Sequence, residues 1–560
     1  MSLRVSVAAS RPLIRRLLAV LVLLWLGLWF AGSQYRSLLE PDEGRYAEVP
    51  REMVASGNWI TPRSDGIKFF DKPALQYWGT ALAYEAFGLH NWTARLWGLL
   101  TGLAGMLAVG WAGARVFGRR AGAIAALALG GSLLWVLGSH INTLDLGVSA
   151  FFAIALSAFV VAQHAGTSAR ARRGLMLGVW AALAAAVLSK GLIGVVFPGG
   201  ALFFYLLWTR DWTLLKRIEL GWGLALLLAL TLPWFIVVSR DNPQFFHHFF
   251  IREHFTRFLT DKDDRAQPFW FFLPVVALGF FPWTAFLPAA LRWPPRTAGF
   301  DARRLLWIWT LLILVFFSVS HSKLPLYILP IFPSLALLIG ATAATLSGRA
   351  LAWRLGIGAA LLALALPFAL RARVPLKLAA LAAPYQGFMH VAALAAGLGA
   401  LALLIAALLA RRGRVRSALA LTGLIGLALP QALLIGFQPL APIYSAAPMA
   451  AAIAPHLAAG EPVYTVGAYR RGLPFYLDRT VTITAEDPYD LRAGVRWNPE
   501  RLIPDLADFA VVWRARTDGV AVMRPDLYAE LAAQGLPMHT LASGPGWVAV
   551  QRQRAAGIRP

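Results

Sequence analysis

Residues 40–78 gather an unusual amount of charge. Acids such as Glu40, Asp42, Glu43 and Glu48 stand among the bases Arg45, Arg51, Arg63, Lys68 and Lys72, in a chain of 560 residues that is 58% hydrophobic and 14% charged. A carboxylate in such a place can orient or deprotonate a nucleophile, or stabilise a cationic sugar centre in a transition state. Bases there can clamp a leaving phosphate, the arginines through paired N–H donors and the lysines as point charges. Such contacts are worth more in a poorly hydrated site than in water.

Other chemistry-bearing residues lie far along the chain. Asp145, in Ile141-Asn142-Thr143-Leu144-Asp145, opens an apolar segment with no base beside it; acids at membrane depth face a polar interior and mark function. Lys190 separates two apolar runs, and Lys323 opens another in His321-Ser322-Lys323-Leu324-Pro325-Leu326-Tyr327. Arg252, His254 and Arg257 fall in an aromatic loop, 240–267, suited to an amphipathic interfacial helix. Plainer roles exist for several of these. Asp42 can start a helix, with Glu43 in its first turn, and Lys190 can snorkel to the interface. His247, His248 and His254 with Glu253 match no defensible metal spacing. No metal site or cofactor is expected, although Asp42 and Glu43 leave a shared divalent cation open.

The elements that must position these groups are membrane spans. A mean hydropathy of +0.60 and repeated apolar runs place the chain among polytopic membrane proteins, and 22 Trp suit two interfacial belts. Cysteine is absent, so no disulfide framework or thiolate site can form. A basic start followed by the apolar run 13–31 is long for a signal peptide and reads as a first, uncleaved span, with cleavage at Ala31-Gly32-Ser33 the alternative. Apolar segments follow near 92–117, 121–138, 144–163, 175–190, 192–208, 219–239, 268–290, 304–320, 325–346, 351–370, 388–410 and 416–437, giving a mainly α protein of about 13 spans.

With the N-terminus cytoplasmic, the inside loops carry Arg119/Arg120, Arg170/Arg172/Arg173, Arg210/Lys216/Arg217, Arg292/Arg296/Arg303/Arg304, Arg349/Arg354 and Arg411/Arg412/Arg414/Arg416. That agrees with the positive-inside bias and puts the C-terminus outside. The bases of the outer segments need another partner, for which phosphate is the natural choice. Part of the net charge of +24 is thereby explained, and no stripe or motif points to nucleic acid.

The expected domains are 1–437, a transmembrane unit with outer loops 34–91 and 240–267, and 438–560, a proline-rich linker and small outer α/β domain. Strands are expected at 462–467, 480–484, 508–512 and 546–551, and helices at 469–477 and 525–534.

Three stretches carry a family resemblance: Glu40-Pro41-Asp42-Glu43-Gly44-Arg45-Tyr46-Ala47-Glu48-Val49-Pro50-Arg51-Glu52-Met53, Gly57-Asn58-Trp59-Ile60-Thr61-Pro62-Arg63 and Lys72-Pro73-Ala74-Leu75-Gln76-Tyr77-Trp78. They resemble the bacterial aminoarabinose transferases of lipid A, within the lipid-phosphate-dependent glycosyltransferases of GT-C fold that include the protein O-mannosyltransferases. The residues 141–145, 189–191 and 322–325 extend the likeness. The resemblance implies an inner-membrane enzyme moving 4-amino-4-deoxy-L-arabinose from undecaprenyl phosphate to a lipid A phosphate on the periplasmic side. Resistance to cationic peptides would follow from the lowered surface charge. By position, Asp42 and Asp145 match the catalytic acids, and Lys72, Lys190 and Arg257 the phosphate-contacting bases. Glu43, Arg45, Tyr46, Lys323 and Tyr327 complete the candidate lipid-phosphate and sugar site. Asp71 stands where the family is expected to have Glu.

The first-loop motif is specific for the glycosyltransferase group and less so for the sugar, so a protein or other envelope glycan remains an alternative acceptor. A lipid transporter or flippase is the competing class. It predicts unexplained charge on both faces or at the midplane, whereas here that charge lies outside.

Overall fold

The computed structural model describes residues 20, 22–256, 266–293 and 299–552. Among the described residues, nine helices are long and apolar enough to cross a membrane. Two further apolar pairs are bent, Arg119–Gly130 with Leu133–His140 by 57° and Phe272–Gly279 with Thr284–Ala290 by 110°. Ile193–Thr209 is a shorter apolar helix. All twelve apolar segments expected after the first therefore form helices, but two are broken rather than straight. Of the first span, residues 22–30 are helical and most of the rest lies outside the described residues.

The two breaks meet. One falls at Gly131-Ser132 and the other at Phe281-Pro282, where proline removes a helix donor. The Leu133 N–H donates to the Phe281 carbonyl at 3.1 Å. In hydrocarbon an unpaired backbone group is costly, so a broken span persists where a neighbour re-satisfies it.

The spans Ala169–Lys190 and Ile193–Thr209 are divided at Gly191, whose φ of +81° an L side chain would resist. Lys190 is thereby left at a helix end rather than mid-span.

On the face reached by the first loop, the helix Asp42–Ser56 leads into a hairpin, Arg63–Ser64 with Ile67–Lys68. Its turn residues Asp65 and Gly66 both have positive φ, as a type I′ turn requires. Against these elements packs a six-stranded sheet in the order Leu502–Ile503, Thr482–Thr484, Val463–Val466, Val520–Met523, Trp547–Arg552, Met538–Gly544. The first four strands are parallel, and Trp547–Arg552 pairs antiparallel with both of its neighbours.

Residues 508–512, expected as a strand, belong instead to the helix Leu506–Ala515. The Asp505 carboxylate accepts the Asp508 N–H at 2.8 Å and caps it, and Phe509, Ala510 and Trp513 share its buried side. Cap and period override the β-propensity of the Val pair. Of the helix expected over 469–477, only Leu473–Leu477 forms; the amides of Arg471 and Gly472 are spent on the Glu40 carboxylate, at 3.0 and 2.8 Å. The strands Val520–Met523 and Met538–Gly544 were not foreseen.

Candidate active site

The site is assembled around one buried carboxylate. Glu43 is fully buried and receives Arg36 at 2.6 Å, Arg95 at 2.7 Å and the N–H groups of Leu39 and Asn142 at 2.9 and 3.0 Å. Burial alone would raise its pKa, but the two guanidinium groups overrule that and hold it well below the usual carboxylate range. Arg95 also donates to the carbonyls of Ser33, Arg36 and Ser37. The Asn142 side chain in turn accepts from Gln76 at 2.9 Å.

This chain of bonds joins three distant segments. Glu43 belongs to the helix that starts at Asp42; Gln76 to the helix following Lys72; Asn142 precedes Asp145 by three residues. Glu43 was expected to contact substrate. Its oxygens are instead occupied by the protein, and it positions the residues that the cavity exposes.

Asp145 pairs directly with Lys190, across the helices Leu144–Ala162 and Ala169–Lys190. The Lys190 Nζ also sits 4.6 Å from the Tyr327 ring centroid, a cation–π distance. Lys190 and Tyr327 line a cavity of about 160 Å³ together with Asp71, Lys72, Glu253 and Ser322. Lys72 lies 3.5 Å from Glu253 and donates to the Asp71 carbonyl at 2.7 Å. Tyr46, buried beside this group, has its phenol pushed up by burial and then by the charges of Asp42, Asp145 and Asp71. The Asp42 side chain is 47% exposed, and the Arg45 guanidinium approaches it at 3.8 Å.

The C-terminal residues 449–552 match the aminoarabinose transferase C-terminal domain, and residues 71–237 match dolichyl-phosphate-mannose-protein mannosyltransferase. The structure of ArnT from Cupriavidus metallidurans bound to undecaprenyl phosphate superposes with a TM-score of 0.90 at 36% identity, covering 97% of this chain and 99% of that one. The chain belongs to the aminoarabinose transferase family. Undecaprenyl phosphate-alpha-4-amino-4-deoxy-L-arabinose arabinosyl transferases of Erwinia tasmaniensis and Sodalis glossinidius are 34% and 38% identical over 313 and 342 residues. Those matches cover 55% and 57% of this chain and span 55% and 58% of the relatives' length.

The Lys323 ammonium is turned to the carbonyls of Gln267, at 2.8 Å, and Ser320. It does not line the cavity, although its neighbour Ser322 does; it ties Gln267 to the start of a span, which corrects its expected place at the substrate. Arg257 lies outside the described residues. Arg45 faces the C-terminal domain, 2.8 Å from Asp490.

Sequence reasoning missed Arg36, Arg95 and Asp490. Arg95 carried a usable signal, being a base four residues into an apolar span without an acid nearby in sequence. His248 was legible beside Glu253; its other partner, Asp71, was not. It lies 3.3 Å from Asp71, and one ligand atom from each of Asp71, His248 and Glu253 falls within 4.8 Å of the others, a set that could hold a divalent cation.

Proposed function

We propose that this chain transfers 4-amino-4-deoxy-L-arabinose from undecaprenyl phosphate to a lipid A phosphate at the periplasmic face of the bacterial inner membrane. The observation that carries the reading is the Asp145–Lys190 pair at the rim of a cavity that also holds Lys72. The family likeness to a protein crystallised with undecaprenyl phosphate supports the donor.

Lys72 and Lys190 clamp the donor phosphate, with Arg257 completing the set by its place in the motif. Arrival of the phosphate gives Lys190 a second anion, so Asp145 is released from its partner as the donor seats. An acceptor phosphate oxygen then forms a bond to the sugar's anomeric carbon. The bond from that carbon to the undecaprenyl phosphate oxygen breaks, and its electron pair leaves with the lipid phosphate. Asp42, half-exposed at the head of its helix, orients the acceptor or takes its proton when it carries one; Asp145 stabilises positive charge on the sugar. The lysines disperse the leaving charge where little water competes.

Mass spectrometry of lipid A from cells with and without the protein tests this. The expected result is an aminopentose on a lipid A phosphate only when the protein is present. Unchanged lipid A, with the aminopentose found on a protein or another glycan, would transfer the reading to that acceptor.

A further inference from the structure

At the membrane face opposite the Asp145–Lys190 pair, four arginines rim a second hollow. Arg119 and Arg120 open the helix Arg119–Gly130, and Arg414 and Arg416 flank the start of the helix Val415–Gly436. With the apolar side chains of Ile124 and Leu419 they line a cavity of about 800 Å³. The two helices run side by side and touch deeper in the membrane, where Gly423 faces Leu127 and Gly426 faces the Gly131 backbone.

The charge there is uncompensated in sequence. No acid occurs between Glu85 and Asp145, or between Asp301 and Glu461. Both helices also begin without an acid in the first turn and without a side-chain cap, so their positive dipole ends add to the arginines. A topology signal needs only basic loops. It does not need a hollow whose rim is guanidinium and whose wall is hydrocarbon-like.

We propose that this hollow binds an anionic phospholipid of the inner leaflet, its phosphate among Arg119, Arg120, Arg414 and Arg416 and an acyl chain along Ile124 and Leu419. Guanidinium groups take phosphate oxygens through paired donors, and basic pockets between spans at the cytoplasmic surface suit such headgroups. A free phosphate would leave the apolar wall without a partner. The lipid acts as a wedge between the broken span and the helix that supports it.

The test is native mass spectrometry of the delipidated full-length protein, titrated with cardiolipin, phosphatidylglycerol or phosphatidylcholine, with inorganic phosphate as competitor. Ala420→Trp fills the hollow without changing charge. The double variant Arg414→Lys, Arg416→Lys keeps the charge that sets topology and removes paired donation. Wild type is expected to hold the two anionic lipids, each variant to retain them about tenfold less, phosphatidylcholine to bind all three alike and weakly, and inorganic phosphate not to displace lipid. Equal retention of anionic lipid by wild type and both variants would overturn the proposal. So would phosphatidylcholine binding as well as cardiolipin, or displacement by inorganic phosphate, which would mark a site for a free anion.

Discussion

Arg45 in the first loop reaches Asp490 in the C-terminal domain, nitrogen to oxygen, at 2.8 Å, and Arg471 takes the same carboxylate at 2.6 Å. The loop that begins with Asp42 is thus clamped from above as well as from the membrane. Around it, Glu40 accepts from the 471–472 backbone, and Arg51 holds Glu48 while touching Asp478 at 3.4 Å. Much of the charge crowded into residues 40–78 joins two parts of the protein, and a smaller share, Asp71 and Lys72, lines the cavity.

Replacing Asp490→Asn should therefore lower transfer without removing the protein from the membrane. Burial would raise the Asp490 carboxyl, but Arg45 and Arg471 hold it below its ordinary value. A depressed folded-state pKa stabilises the fold above the unfolded value of about 3.9, and that contribution is lost as pH falls through the folded value. The Tm difference between wild type and Asp490→Asn should stay constant above about pH 5 and shrink in stronger acid. A difference that grows on acidification would contradict the clamp.

Glu43→Gln should destabilise the folded protein by about 3–5 kcal/mol, because Arg36 and Arg95 remain buried without their counter-charge. Thermal unfolding of the purified protein in detergent measures this. A stable but inactive variant would instead return Glu43 to the substrate.

Asp42→Asn should abolish transfer and leave Tm nearly unchanged, since the side chain is half-exposed and its pairing with Arg45 is long, at 3.8 Å. Such surface pairs contribute about 0–1 kcal/mol. Full activity with lipid-linked sugar would remove Asp42 from the mechanism.

Lys190→Ala and Lys72→Ala should each weaken undecaprenyl phosphate binding by about ten- to a hundredfold, the usual value of a hydrogen bond to a charged group. Titration of the purified variants with the lipid measures it. Unchanged affinity in both would exclude these lysines from the phosphate clamp. Lys323→Ala is expected to change donor affinity less than either, because its ammonium is committed to backbone carbonyls.

Sequence alone determined what depends on short stretches of chain. Hydropathy places each span, because a length of apolar residues either crosses hydrocarbon or does not. Arginine placement gives the expected orientation of the spans, and Lys72 of the first-loop motif, with Lys190, marked residues that line one cavity. Tertiary structure decided the partners. Nothing in local spacing says that Glu43 will be enclosed by Arg36 and Arg95, that Asn142 and Gln76 will carry its position to Asp145 and Lys72, or that Arg45 will meet Asp490. Nor does it say that two spans will break where the Phe281 carbonyl can take the Leu133 N–H. A charge has the same local signature whether it binds substrate or a distant residue; only the packed chain, by burying one and exposing the other, separates the two.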